Sequence, residues 1–285
     1  MIRANGSGIL YLCATPIGNL EDITLRVLRI LKEVDCIAAE DTRHTRKLLS
    51  HFDIHTPLTS YHSHSSESKG QQIIERLQQG QSIALVSDAG LPGISDPGAE
   101  LVRQALDKDI EVIPLPGPSA GLAALVASGL PTHRFAFEGF LSNQKKARRK
   151  QLQSLKNEKR TIIFYESPHR LTDTLEDAYK EFGDRQCAVA RELTKVHEEF
   201  KRGSLSELLD YYKQKHPRGE ITLILEGSKE EQADEAREQW NELSLEEHVQ
   251  QIEERGVSLK EAIKEVAKLR GVPKRDVYSH IHNKG

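Results

Sequence analysis

The chain has 285 residues, 37% of them hydrophobic, and a formal net charge of −3. That length accommodates two buried cores, and that balance excludes a protein that holds polyanions by bulk charge, leaving only local basic patches for such a role. No run approaches the roughly 20 apolar residues that span a bilayer, and the opening Met1-Ile2-Arg3-Ala4-Asn5-Gly6 lacks the apolar region of a signal peptide, so a cytoplasmic protein with no membrane partner is expected.

The first predicted strand, Ile9-Leu10-Tyr11-Leu12, runs into the loop Ala14-Thr15-Pro16-Ile17-Gly18-Asn19. A helical pattern over residues 23–33 leads to a second strand, Cys36-Ile37-Ala38-Ala39, which ends in Glu40-Asp41-Thr42-Arg43. Two more strands, Ile83-Ala84-Leu85-Val86 and Glu111-Val112-Ile113, are set off by helical stretches near residues 71–79 and 99–108. Continuous apolar strands alternating with helices predict an α/β domain with a largely parallel sheet.

The third of these strands runs into Ser87-Asp88-Ala89-Gly90-Leu91-Pro92-Gly93-Ile94-Ser95-Asp96-Pro97-Gly98. Glycines here permit positive φ and close backbone approach, while the prolines stiffen the path and remove donors. At the carboxyl end of a buried strand such a loop reads as part of a small-molecule site, with a tight surface turn as the plainer alternative. The fourth strand ends in Pro114-Leu115-Pro116-Gly117-Pro118-Ser119-Ala120.

Beyond a boundary within residues 116–122, Phe135-Ala136-Phe137, Thr161-Ile162-Ile163-Phe164-Tyr165, Cys187-Ala188-Val189-Ala190 and Ile221-Thr222-Leu223-Ile224-Leu225 read as strands of another sheet. Ser204 with Glu207 forms a capping box that starts a helix. The tail opens with an acidic stretch through Glu230, Glu231, Glu235 and Glu238 and continues as helices only. Ser244 with Glu247 and Ser258 with Glu261 are further capping boxes, Gly256 and Gly271 supply stops, and Pro273 can begin a third helix. Leu259, Ala262, Ile263, Val266 and Ala267 share one helical face. The tail therefore resembles a helix-turn-helix module, which leaves open both nucleic-acid contact and a small bundle packed on its neighbour. The division is into residues 1–118, 119–228 and 229–285, with no internal repeat.

Cys13, Cys36 and Cys187 lie in apolar runs without a C-x-x-C pair, which predicts reduced core residues rather than a nucleophile. Neither G-x-x-x-x-G-K-[ST] nor G-x-G-x-x-G is present after the first strand, so kinase, ATPase and standard dehydrogenase readings lose weight. No ligand set frames His62 and His64, and no catalytic metal is expected. What remains is a set of strand-end loops, including Phe164-Tyr165-Glu166-Ser167-Pro168-His169-Arg170 and Ala190-Arg191-Glu192-Leu193-Thr194-Lys195. Charged residues directly after buried strands suit a cleft better than a core, with an ion pair tying two loops as the plainer alternative for Arg191 and Glu192. The basic run Lys145-Lys146-Ala147-Arg148-Arg149-Lys150 reads either as phosphate contacts or as a solvated helix start.

Taken together, Leu12-Cys13-Ala14-Thr15-Pro16-Ile17-Gly18-Asn19-Leu20, Ala39-Glu40-Asp41-Thr42-Arg43, residues 87–98, Pro116-Gly117-Pro118-Ser119-Ala120, residues 164–170 and residues 191–195 resemble, in order, the motifs of the ribosomal RNA small subunit methyltransferase I family, a branch of the tetrapyrrole methylase superfamily. The resemblance implies two α/β domains with S-adenosylmethionine bound in the cleft between them, usually in a homodimer; with the helical tail read above, the expected fold is two α/β domains of this type plus a small all-helical C-terminal module. It implies methyl transfer to the 2′-hydroxyl of a decoding-centre cytidine in 16S rRNA, with the RNA or the small ribosomal subunit as partner. Carried over motif by motif, the cofactor residues are Ser87, Asp88, Ala89, Gly90, Ser119, Ala120, Tyr165, Glu220 and Ile221, and residues 15–19 line the acceptor side. Candidate catalytic residues are Glu40, Asp41, Arg43 and Glu192, with Asp88 and Glu166 as further proton acceptors and Arg191 and Lys195 as further stabilisers; the base is not assigned. Lys145, Lys146, Arg148, Arg149 and Lys150 are the expected RNA contacts. Leu91 precedes Pro92 where the family often carries threonine, which removes one possible hydroxyl contact. The rival readings are a methylase of a tetrapyrrole or other small acceptor, and a non-catalytic ribosome-binding factor on the same fold.

Overall fold

A computed structural model describes residues 6–62, 66–229, 243–254 and 256–282. His64 and the acidic stretch at Glu230, Glu231, Glu235 and Glu238 lie outside the described residues. Met1–Glu226 form one compact unit and Gly227–Gly285 another.

Strands β1 (Ile9–Cys13), β2 (Cys36–Ala39), β3 (Leu58–Ser60), β4 (Ile83–Val86) and β5 (Glu111–Leu115) build the first sheet in the order β3-β2-β4-β1-β5. Every pairing in it is parallel, as the continuous apolar strands require. On one face, helices α1 (Leu25–Glu33) and α2 (Thr42–His51) pack Val27, Leu31, Leu48 and Leu49 onto Cys13, Ile37 and Val86. On the other, α3 (Ser66–Gln78) and α4 (Gly98–Leu106) pack Ile73, Leu77 and Leu101 onto Leu10, Ala38 and Leu85. Successive strand residues therefore point into different cores, and β2 and β4 are buried throughout. Pro114 sits on β5, an edge strand that pairs only with β1, the position in a sheet where a residue without an amide donor is tolerated.

Two elements of this sheet differ from the sequence expectation. Thr42 and Arg43 open α2 instead of extending a loop, because the Asp41 carboxylate accepts the Arg43 amide at 2.8 Å and caps the helix. Edge strand β3 was not foreseen; it has three residues, too few to carry a periodic signal.

The second sheet joins β6 (Phe135–Phe140), β7 (Thr161–Glu166), β8 (Gln186–Arg191), β9 (Glu199–Ser204) and β10 (Ile221–Leu225) in the order β6-β7-β10-β8-β9. β6 and β7 are parallel and the other pairs antiparallel. Helices α6 (Lys145–Ser154), α7 (Leu171–Phe182) and α8 (Leu205–Gln214) cover one face around Leu152, Phe164, Leu175, Leu208 and Leu223. The other face receives α5 (Ala120–Ser128) through Ala124 and Leu125, and Ile17 from the loop after β1 enters the same cluster. One apolar side chain thus ties the first sheet's loop to the second sheet's core. At α8 the Ser204–Glu207 capping box forms in both directions, at 2.9 and 3.3 Å.

In the second unit, α9 (Leu245–Glu253), α10 (Leu259–Arg270) and α11 (Lys274–His282) enclose Val249, Ile252, Ile263, Val266 and Val277. Both expected capping boxes are present, and Gly271 ends α10 at φ 65° before the turn through Pro273. Leu259 lies at the rim, 37% exposed, unlike its helix-mates Ala262 and Ile263. No helix of the described residues is long and apolar enough to cross a membrane. All three cysteines are buried, and burial pushes the Cys13 and Cys187 thiols up to about 12, which leaves them unreactive.

Candidate active site

Neighbouring strands β1 and β4 are followed by helices on opposite faces of the sheet, so the chain parts at their carboxyl ends and opens a crevice there. The two loops that leave it are bound to each other. Thr15 and Gly90 exchange backbone hydrogen bonds of 2.9 and 3.0 Å, and Thr15 Oγ1 donates to the Ser87 carbonyl at 3.1 Å. Gly90 adopts φ +80°, the left-handed conformation this crossing needs. Farther on, Asp96 Oδ1 accepts the Gly93 and Gly98 amides at 2.8 and 2.7 Å and closes the loop on itself. The loop after β1 also touches the second sheet: a Cβ on Gly18 would fall 2.4 Å from Lys195 Cγ and 2.8 Å from the Leu193 carbonyl. Only glycine allows that approach.

Two adjoining cavities occupy the crevice. The first, about 430 Å³, takes Glu40, residues 87–91 and Ile94, Ser95 and Asp96 from the first sheet's loops, and Ser119 and Ala120 from the start of α5. Its other wall is the second sheet: Phe140, residues 165–168, Ala190, Leu193 and residues 219–222. Ser87, Asp88, Ala89, Gly90, Ser119, Ala120, Tyr165, Glu220 and Ile221, drawn from four segments far apart in sequence, all line it. The second cavity, about 600 Å³, lies between residues 15–18, Leu20, the α2 face bearing His44, Lys47 and His51, and Lys195. Ile17, Ser87, Asp88, Ala89 and Glu220 border both.

The first cavity is acidic on one side. Burial, together with the Asp88 and Asp96 charges, holds the Glu40 carboxyl above the usual carboxylate range. Asp96 is raised by burial too, against the opposing pull of its amide donors. Tyr165 packs edge-on to Phe137 at 5.0 Å between ring centres, and burial raises its hydroxyl in spite of a hydrogen bond from the Gly121 amide. Asp88 Oδ1 accepts the Asp41 amide at 3.0 Å, which fixes the shared wall to the start of α2.

The catalytic candidates separate on this geometry. Glu40 lines the first cavity, whereas Asp41, Arg43 and Glu192 line neither. Arg43 lies along Asp41 at 2.9 Å, holds that carboxyl down at about 2, and is 86% exposed. Glu192 is a brace: Oε1 accepts the Glu220 amide and the Lys195 ammonium, each at 2.9 Å. Burial raises its carboxyl, but these donors outweigh that and hold it below the ordinary value. Glu192 adopts φ 50°, and a Cβ on Gly219 would fall 2.2 Å from its Cδ, so Gly219 makes room for it. Glu166 reaches the first cavity, but its carboxylate is buried against Thr174 Oγ1 at 2.6 Å and Arg170 Nη2 at 3.2 Å. Arg191 is turned to Glu199 at 3.1 Å.

The basic run forms the first turns of α6, and none of its residues lines either cavity. The expectation of a phosphate contact fails at Arg148, which is 3% exposed and donates to the buried Asp177 at 2.9 Å. Arg149 pairs with Glu181 at 2.9 Å, while Lys145, Lys146 and Lys150 remain exposed. The sequence reading did not single out Asp96, His44, Lys47 or His51. Asp96 was legible in principle as an Asp-Pro-Gly turn, whereas the α2 face became recognisable only once α2 itself was known.

The family model for tetrapyrrole (corrin/porphyrin) methylases matches residues 10–209. A relative from Bacillus subtilis (strain 168) named ribosomal RNA small subunit methyltransferase I is 53% identical, covering 97% of this chain and 95% of its own. A Synechocystis relative of the same name is 50% identical over 95% of this chain and 96% of its own. Among solved structures, cobalt precorrin-4 methyltransferase, a cobalamin biosynthetic enzyme, superposes with a TM-score of 0.58 at 16% identity, covering 79% of this chain and 98% of that one. The uroporphyrin-III C-methyltransferase of Thermus thermophilus complexed with S-adenyl homocysteine gives a TM-score of 0.54 at 20% identity, over 77% and 97% of the two chains. Two sheets that meet at the crevice, the order of the loops lining it and the full-length match place the chain in the tetrapyrrole methylase family and, within it, in the ribosomal RNA small subunit methyltransferase I family.

Proposed function

We propose that the protein transfers a methyl group from S-adenosylmethionine to the 2′-hydroxyl of a decoding-centre cytidine in 16S rRNA, acting on that RNA or on the small ribosomal subunit. The observation that carries the reading is the pair of cavities sharing the wall at residues 87–89, one for a donor and one for an acceptor. Relatives that match along nearly the whole chain bear a small-subunit rRNA methyltransferase name, which supports RNA as the acceptor.

The first cavity suits the cofactor chemically. Its volume lies in the range of small-ligand sites, with apolar walls at Leu91, Ile94, Leu193 and Ile221 for an adenosine half. Glu40, Asp88 and Asp96 suit the positive charge of a sulfonium and an ammonium group. When bound, S-adenosylmethionine supplies an activated methyl electrophile. Residues 87–90, Ser119, Ala120, Tyr165, Glu220 and Ile221 would hold it. The protein's remaining task is to position the ribose oxygen, exclude water and accept a proton. Asp88 is the carboxylate best placed for the last: it and Glu220 both border the two cavities, but Glu220 is paired with Lys195 at 3.2 Å, whereas Asp88 is anchored by the Asp41 amide. Glu192 acts as a positioning residue, bracing Lys195 and the strand that carries Glu220.

Lys145, Lys146 and Lys150 are proposed as outlying phosphate contacts, and the helical tail as a second one. A homodimer in the cytoplasm is the proposed assembly: Leu122 and Val126, one turn apart on α5, are 49% and 73% exposed, an apolar stripe that a second copy would cover.

Small ribosomal subunits from a strain lacking the gene, incubated with the protein and radiolabelled S-adenosylmethionine, should gain a 2′-O-methylcytidine in 16S rRNA. At saturating S-adenosylmethionine, Asp88→Asn should lower kcat by roughly 10²-fold or more while KM for the subunit changes little. Labelling of a base carbon or of a small corrinoid instead would favour a different acceptor, and no labelling would favour a non-catalytic factor.

A further inference from the structure

Resting on that reading, we infer that the second cavity is the seat of the phosphate on the 3′ side of the target nucleotide, with Lys47 as its principal cationic contact. The 2′-hydroxyl and the 3′-phosphate sit on adjacent ribose carbons. An enzyme that methylates this hydroxyl must therefore accept an anion immediately beside the reacting oxygen, a demand that carbon methylation of a tetrapyrrole does not make. The compartment sharing a wall with the donor cavity is where that anion must go.

Its lining answers the requirement. His44, Lys47 and His51 recur at spacings of three and four along α2 and so occupy one face, turned into the cavity. Thr45, Leu48 and Leu49 bury the adjoining flank of the helix, Thr45 and Leu48 also lining the cavity, so the face that carries Lys47 is held on a rigid element. Lys195 lies across from it, but its charge is already met by Glu192 at 2.9 Å and Glu220 at 3.2 Å. Lys47 has no ion-pair partner among the described residues and keeps its charge for a ligand. In the α6 run Arg148 is consumed by Asp177 and Arg149 by Glu181, and the exposed Lys145, Lys146 and Lys150 line neither cavity.

Steady-state methylation of unmodified small subunits over a range of salt tests the assignment, using Lys47→Ala, Lys47→Glu and Lys47→Arg. Lys47→Glu should raise KM for the subunit about tenfold, and Lys47→Ala should reduce the log–log salt slope of affinity by about 0.7–0.9, the loss of one phosphate contact. Lys47→Arg should keep the parent slope, and S-adenosylhomocysteine affinity should stay at the parent value in all three by calorimetry. Cytidine 3′-monophosphate should inhibit the parent protein more strongly than cytidine 5′-monophosphate, and Lys47→Glu should abolish that preference. Parent-like KM and salt slope in Lys47→Glu would overturn the phosphate seat. Failure of the parent protein itself to methylate the subunit would overturn the reaction beneath it, and that result is read before any variant is compared.

Discussion

Glu40 is held under electrostatic tension. Its carboxyl is raised by burial and by the neighbouring Asp88 and Asp96 charges. A native carboxyl with a raised pKa binds more protons than the unfolded chain does, so its contribution to stability falls as pH rises from the ordinary glutamate range through the native value. Glu40→Gln removes that repulsion. The ligand-free variant should unfold at a higher denaturant concentration than the parent at pH 7, and the difference should shrink toward pH 4. If Glu40 faces a cationic cofactor, the same change should weaken S-adenosylmethionine binding, giving opposite signs for stability and affinity. Chemical denaturation across pH together with calorimetry measures both. Equal stability of the two proteins at pH 7 would contradict the three-carboxylate picture.

Helix α6 illustrates, at the scale of an element, why charge in a sequence does not identify a surface. Lys145, Lys146, Arg148, Arg149 and Lys150 are alike in sequence, but the partner that buries Arg148 is Asp177 on α7, 29 positions away. Arg148→Ala leaves Asp177 charged in the core and should cost about 3–5 kcal/mol, whereas alanine at Lys145, Lys146 or Lys150 should stay within about 0.5 kcal/mol. Urea midpoints decide this, and a parent-like midpoint for Arg148→Ala would show that the pair is not buried in solution. Elements held by local pattern were legible: the bounds of β2, β4 and β10 follow from continuous apolar runs, and three helices start at the capping boxes read from Ser/Glu spacing. Strand β9 was not legible, because Glu199, Lys201 and Arg202 on an edge strand hide its alternation. The Gly/Pro loops of the site were visible in sequence since their backbone demands are local. The brace at Glu192 and the tension at Glu40 arise from contacts between distant segments, and the face of α2 bearing Lys47 lines a cavity that only the fold creates.

At the scale of the whole molecule, the crevice depends on two sheets meeting through a few loop contacts: Ile17 in the second sheet's core, and Gly18 against residues 193–195. Segments from both sheets and from the start of α5 then face one cavity, and the central claim is that this cavity is the donor site. Calorimetric titration of S-adenosylhomocysteine into the parent protein and into Ala120→Trp tests that claim most directly, with circular dichroism to establish that both are folded. Ala120 begins α5 on the cavity wall, so an indole there occupies the space the adenosine half requires. The account predicts one site per chain in the parent and none detectable in the folded variant; parent-like affinity in Ala120→Trp, or no binding by the parent at millimolar ligand, would contradict it.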